Sequence, residues 1–405
     1  MKRIVAIVHR IKNPVEGQAR PTLVAVKEGE KIKTFELATE QDELDFVLGI
    51  LPTGMRKVKE GEYPDVNLYP ERHIERDKVN GNPKRVPAGY DGLRPGDTLV
   101  MALGGSGDRM AYAAHRQLKD LGGRVMRIAP FLLKEKRKGE KEEDHLLLLN
   151  LFREGETLFQ EMTDRDLDLI RVREAYFART EAMKARIGCE QRLRQRFIGR
   201  VFLTENMYPE GRLEDEYDSL KANDKILQAL LQEERRREAE LKQAVRRLTV
   251  WEEIFEPLEG VGEMIAARLV VAIGDIRRFK TDAQLKKFCG VHVLPDGKFV
   301  RRRSGEVANW HPEARQALYL LGDQFNRRPE SVWGKKLREY KRRFREKYPE
   351  PVETPGAGGR KVKKYTDGHI HKMATWRTIT KFVEWLHHEW SRLEVPEGKK
   401  VEVAG

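Results

Sequence analysis

Two glycines two residues apart, Gly260 and Gly262, sit between apolar patterns of helical spacing in the stretch from Leu258 to Phe279. Glycine permits a turn with positive φ and the close approach of another backbone. Behind the turn, Ile265, Ala266, Leu269, Val270 and Ile273 recur as one helical face. With Val261 between the glycines, the segment has the form of a helix-hairpin-helix. The N–H groups of its turn and the positive end of the following helix would face a nucleic-acid phosphate. An ordinary helical corner carries the same glycines, so the residues that follow must decide. They are basic: Arg277, Arg278, Lys280, Lys298 and the run Arg301-Arg302-Arg303 ahead of Ser304-Gly305 are candidate phosphate contacts.

The order of these features is specific. Gly260-Val261-Gly262 is followed by Gly274-Asp275-Ile276-Arg277-Arg278-Phe279, by Leu285 to Gly290, by a basic Ser-Gly turn, and by a helix carrying Arg315 and Leu318. This order resembles the C-terminal domain of the DEDD insertion-sequence transposases over about Leu258 to Phe325, and the likeness elsewhere is architectural. That family joins a RuvC-like domain to a helical linker and this C-terminal domain, and includes Piv-type DNA invertases and RNA-bridged recombinases. The resemblance implies a transposase or site-specific recombinase acting in DNA transposition or inversion. It implies DNA as partner, a guide or structured RNA as a further partner class, and Mg2+ as cofactor if the site is active. It also implies a homo-oligomer joined through the helical linker and a nucleoid-associated place in a prokaryotic cytoplasm. The alternative is a degenerate derivative that binds DNA or DNA junctions without cutting.

That alternative arises from the residues the resemblance would make catalytic. RuvC-like nucleases clamp the scissile phosphate with divalent cations held by carboxylates from the first strand, a central strand and a later helix. Here the first strand is Val5-Ala6-Ile7-Val8-His9, and no Asp or Glu occurs from Met1 to Pro14. The central position falls on Gly104-Gly105-Ser106-Gly107. Glu142, Glu143 and Asp144 are the plausible remnants, and of these Glu143 and Asp144 are retained as catalytic candidates; Asp108 is better explained as a helix N-cap. The family's catalytic serine has its counterpart in Ser304, although spacing from Gly290 aligns the element better with Asp296-Gly297-Lys298. Ser304 is therefore either a nucleophile or a turn residue among phosphate-contacting arginines. His369, His371, His387 and His388 lack an acidic or cysteine partner at ligand spacing, so no metal site is expected from them.

Composition agrees with a polyanionic partner. The chain of 405 residues has a net charge of +13. From Trp251 onward there are 31 Lys+Arg against 22 Asp+Glu, so +9 of that charge lies with the glycine turn. Two unrelated cysteines, Cys189 and Cys289, give neither a disulfide framework nor a cysteine zinc site. The apolar start is too short for a signal peptide and suits a first strand, and no apolar run is long enough to span a bilayer, so no membrane partner is expected.

The elements that must position these groups fall into four segments: an α/β domain over 1–155, whose pattern is compatible with the RNase H/RuvC-like sheet that the resemblance implies and equally with other α/β sheets, a helical coiled-coil linker over 156–254, a mainly α helix-hairpin-helix domain over 255–348, and a mobile loop with a C-terminal helix over 349–405. Strands are expected at Ile4 to Val8, Thr22 to Val26, Lys33 to Leu37, Thr98 to Leu103 and Arg124 to Ile128, with helices near Gln41 to Leu48 and Asp108 to Leu121. Pro52 to Pro95, rich in Lys, Glu, Gly and Pro, is expected to be loop. Leu213, Leu220, Leu227, Leu241 and Leu248 share one heptad register that Glu234 interrupts, which favours mixed intramolecular and intermolecular pairing. Trp376, Phe382, Trp385 and Trp390 form the apolar face of a last helix, His369 to Leu393.

Overall fold

A computed structural model of the chain describes residues 3–11, 20–59, 61–205, 210–295, 297–301, 305, 307–349, 352–355 and 361–394. The chain divides into two compact units, residues 1–167 and 168–405.

In the first unit, β1 (Ile4–Val8), β2 (Thr22–Glu28) and β3 (Lys31–Leu37) form an antiparallel meander. Next come α1 (Glu40–Val47) and the strands β4 (Leu51–Lys57), β5 (Glu75–Arg76) and β6 (Pro83–Asp91). The chain then returns to the first sheet through β7 (Thr98–Ala102), α2 (Asp108–Leu118), β8 (Arg124–Ile128), α3 (Pro130–Lys136), α4 (Asp144–Glu154) and β9 (Phe159–Glu161). The sheet order is β3-β2-β1-β7-β8-β9, with β1, β7 and β8 mutually parallel. β1 reads Ile-Val-Ala-Ile-Val and is central, because an uninterrupted apolar strand must be covered on both faces. β3 carries Lys31, Lys33 and Glu36 and lies at the edge, where charge blunts further pairing. Leu148, Leu149 and Phe152 of α4 pack with Ala6, Ala25, Val100 and Ile128 of the sheet.

The expected loop from Pro52 to Pro95 is instead a second sheet of order β4-β6-β5. Its register slips at Pro52, Gly54 and Met55, and most of its side chains stay out of the core. Backbone hydrogen bonds hold it without an alternating apolar face, so hydrophobic periodicity carried no trace of it. Buried Asp45 on α1 ties it down: His73 Nε2 lies 2.7 Å from its Oδ2, and Arg72 pairs with its Oδ1. Burial alone would raise the Asp45 carboxyl, yet these hydrogen bonds hold it below the usual carboxylate range.

The second unit takes up α5 (Asp166–Leu203) and continues through α6 (Leu213–Asn223) and α7 (Lys225–Val245). Leu213, Leu220, Leu227, Leu230 and Leu231 pack with Leu193, Phe197 and Val201 of α5, while Leu241, Val245 and Leu248 enter the larger core that follows. The heptad is thus divided between two clusters of the same chain. Glu234, which breaks the heptad, is buried and faces Arg186 at 2.8 Å and Arg179 at 3.3 Å, while Glu190 pairs with Lys221. The Glu234 pairings run α7 back along α5, and Lys221 ties α6 to the same helix. A carboxylate at an apolar position is tolerable because two guanidinium groups reach it.

A π-helical turn, Trp251–Phe255, leads to α8 (Glu263–Ile273), α9 (Asp282–Phe288), α10 (Pro312–Arg327), α11 (Val332–Lys347), the paired strands β10 (Val352–Pro355) and β11 (Lys361–Lys364), and α12 (Asp367–Leu393). Ala266, Leu269 and Val270 of α8 share a core with Leu318 and Phe325 of α10 and Phe382 and Trp390 of α12. Trp376 and Trp385 pack against it, as the apolar face of the last helix predicts. Tyr340 and Phe344 of α11 also pack there, while Lys335, Arg338, Arg342 and Arg345 make the rest of that helix basic, so α11 is an amphipathic basic helix. The loop expected after Pro349 contains β10, paired from Val352↔Lys364 to Pro355↔Lys361; its residues 356–360 lie outside the described ones. No helix among the described residues is long and apolar enough to cross a membrane.

Candidate functional site

In the second unit the glycine turn differs from expectation in three respects. Positive φ occurs at Gly260 (+92°), whereas Gly262 has φ −85° and is simply the N-cap of α8. What lies close to Gly260 is the side chains of Arg328 and Gln324, not another backbone. Val261, proposed as a nucleic-acid contact, is buried in the core and its N–H donates to Leu258 O. An isopropyl group between two glycines is an anchor, and the exposed face of the turn belongs to Gly262 and Glu263. The Glu263 carboxylate accepts its own backbone N–H and Arg246 Nε at 3.0 Å, and both hold it below the usual carboxylate range. The anion at the α8 N-terminus is therefore a glutamate of the chain itself.

The arginines after the turn differ in their partners. Arg277 forms a fork with Asp275, Nη2 to Oδ2 at 2.6 Å and Nε to Oδ1 at 3.0 Å. Arg278 lies on the rings of Phe279 (4.7 Å) and Phe288 (4.6 Å) and has no ion pair among the described residues. Burial pushes it down to about 10, against the pull of Asp275. Burial, and after it the charge of Arg278, lowers the neighbouring His311. Arg315 is held between Trp310 (4.7 Å) and Trp376 (4.5 Å), donating to Gly290 O and to Val300 O at 2.9 Å. Lys280, Lys298 and Arg301 are exposed. Arg302, Arg303 and Ser304, and Asp296 of the alternative alignment, lie outside the described residues. Cys289 is no nucleophile, because burial pushes its thiol up to about 12.

In the first unit, the two retained candidates of the expected carboxylate site differ in their surroundings. Glu143 is exposed. Asp144 is buried and accepts both Arg137 Nε at 2.7 Å and Nη2 at 2.6 Å. Asp108 is not an N-cap: Gly107 holds that position, and Asp108 Oδ1 accepts from Gly104 N–H at 2.8 Å, bracing the turn after β7. Among the described residues no group of three or more His, Cys, Asp or Glu side chains converges to hold a metal ion. With no carboxylate on β1 and Asp144 clasped by an arginine, the residues present do not fit a pair of divalent cations.

The carboxyl ends of the adjacent parallel strands β1 and β7 gather other groups. His9, directly after β1, places Nδ1 2.8 Å from Ser106 Oγ in the turn after β7. Its Nε2 lies 3.5 Å from Glu43 Oε2, and Glu43 Oε1 accepts Thr22 Oγ1 at 2.5 Å. Thr22 in turn accepts the Arg10 N–H. Hydrophobic periodicity could not single out these side chains. Their signals were a histidine in place of a carboxylate at the end of β1 and a serine inside Gly104-Gly105-Ser106-Gly107.

Residues 252–331 match the model described as the Transposase IS116/IS110/IS902 family. The matched stretch runs from the π-helical turn through α8, α9 and α10 to the start of α11, and over it the chain is similar to insertion-sequence transposases. A comparison with curated proteins found no match.

Proposed function

We propose that the chain is an insertion-sequence transposase that grips DNA by its phosphates through the α8–α10 region of the second unit. What carries this reading is the coincidence of the transposase-like stretch with two arginines, Arg278 and Arg315, whose charges rest on aromatic faces and meet no carboxylate in an ion pair among the described residues. Such guanidinium groups keep a positive field for a polyanion. For the first unit, a sheet of order β3-β2-β1-β7-β8-β9 with β1, β7 and β8 parallel supports the RNase H/RuvC-like reading. The carboxylate-held metal pair of that class is not part of the proposal.

The test is DNA binding by the purified chain to duplexes of unrelated sequence across a salt series. Backbone recognition requires log affinity to fall linearly with log salt, by about 0.9 per phosphate contact, with the same slope on every duplex. Binding that ignores salt, or no binding at low salt, would overturn it.

A further inference from the structure

We propose that Ser106 is a nucleophile, His9 its general base and Glu43 the residue that positions His9, forming a phosphoester-cleaving site in the first unit. The phosphoester assignment rests on the DNA reading above; the activation of Ser106 rests on geometry alone.

The three side chains grade from solvent to interior as such an array must. Ser106 is exposed, while the His9 and Glu43 side chains are 15% and 9% accessible. With the proton of the neutral imidazole on Nε2, towards Glu43, Nδ1 is left to accept from Ser106 Oγ–H. Glu43 is itself fixed by Thr22, so it can hold the ring in that tautomer and favour the imidazolium that forms.

The turn that presents Ser106 is braced independently. Gly104 and Gly105 have φ of +86° and +76°, and the strand–turn–helix setting is that of a nucleophile elbow, although Asp108 stands where such a motif ends in glycine. Gly107 permits the approach to His9: a Cβ there would lie 3.2 Å from His9 Cβ and 3.3 Å from Met101 Cε. Asp108 holds the Gly104 N–H, Arg127 lies 3.8 Å from Asp108, and Arg127 Nη2 is 2.5 Å from Asp166, all four residues at low exposure or along one buried chain of partners. α2 starts two residues after Ser106, so the positive end of its dipole attends the place where an ester oxygen gains charge.

In the step proposed, Ser106 Oγ attacks phosphorus as its proton passes to His9 Nδ1. The Oγ–P bond forms, one P–O ester bond breaks, and the departing oxygen takes the proton from His9, leaving a phosphodiester between Ser106 and the retained strand. No oxidant or co-reactant is needed.

The probe is bis(p-nitrophenyl) phosphate with the full chain, followed by p-nitrophenolate release and intact mass. The expected result is a burst approaching one p-nitrophenolate per chain and a nitrophenyl phosphate adduct located on Ser106. Ser106→Ala, at an exposed position, abolishes both. His9→Gln slows the burst by about 100-fold or more, the scale of a lost general base. Glu43→Gln slows it about tenfold and moves the acid limb of the pH–rate profile, which a purely structural glutamate would leave in place, and Glu43→Asp restores part of the rate. Circular dichroism of each variant confirms folding. An undiminished burst in Ser106→Ala, or no burst in the folded wild type, overturns the proposal. Labelling by p-nitrophenyl acetate but not by the phosphodiester overturns the phosphoester assignment while leaving Ser106 activated. Because the probe needs no DNA grip, loss of DNA binding with an intact burst condemns only the earlier reading.

Discussion

Two pairs of arginines, one pair from each unit, serve opposite ends. In the first, Arg137 is clasped by Asp144, and Arg127 lies between Asp108 and Asp166, so each buried positive charge meets a negative one. In the second, Arg278 and Arg315 lie on phenylalanine and tryptophan rings, and among the described residues Arg315 donates to carbonyl oxygens. A carboxylate cancels a guanidinium's field, whereas a ring and a carbonyl orient it and leave the net charge. The difference teaches that formal charge is a poor guide to polyanion binding until the partners are known. Arg277 and Arg278 are adjacent in sequence, yet the first is matched by Asp275 and the second has no ion pair among the described residues.

The strongest way to break this comparison is at Arg137. Arg137→Ala strands Asp144 in the interior and should destabilise the first unit by about 1–3 kcal/mol, as leaving a buried acceptor without its partner does. The double variant with Asp144→Asn should recover most of that loss in chemical denaturation. If the single variant is as stable as the wild type, the arginines of the first unit are not structural.

Arg278→Ala should behave in the opposite way. Its loss removes stacking worth about 1 kcal/mol, so thermal melting moves little, but the salt slope of DNA binding should flatten by about 0.9. Arg277→Ala, by contrast, should leave that slope nearly unchanged, because Asp275 already neutralises it. Equal slopes for the two variants would erase the distinction drawn between them.

A smaller effect is expected at the glycine turn. Glu263 occupies the α8 N-terminus, so Glu263→Gln removes a charge that competes with phosphate and should tighten DNA binding by about two- to fivefold, the scale of a helix-dipole interaction. Gly262→Asp should weaken binding by a similar factor on all sequences alike, since open space surrounds that position and the added charge is the main change. Unchanged affinity in both would place the phosphate elsewhere on the second unit.

β9, α3 and α4 of the first unit were not read from the sequence, but β1, β2, β3, β7, β8, α1, α2 and the last tryptophan-bearing helix were legible in their apolar patterns, which survive in one dimension. So was the transposase-like stretch, whose glycines and arginines follow one another closely. The β4–β6 sheet was not legible, since its strands are held by backbone bonds and carry no apolar alternation. Nor was the division of the leucine heptad between two clusters, because a heptad states which face is apolar but not what covers it. Partner choice belongs to the tertiary structure alone. Ser106 and His9 are 97 positions apart, and only the parallel pairing of β1 with β7 brings their side chains together. Whether a charged residue is a ligand, a counter-ion or a free contact depends on what folding places within about 4 Å of it, the range over which opposite charges at low dielectric dominate one another.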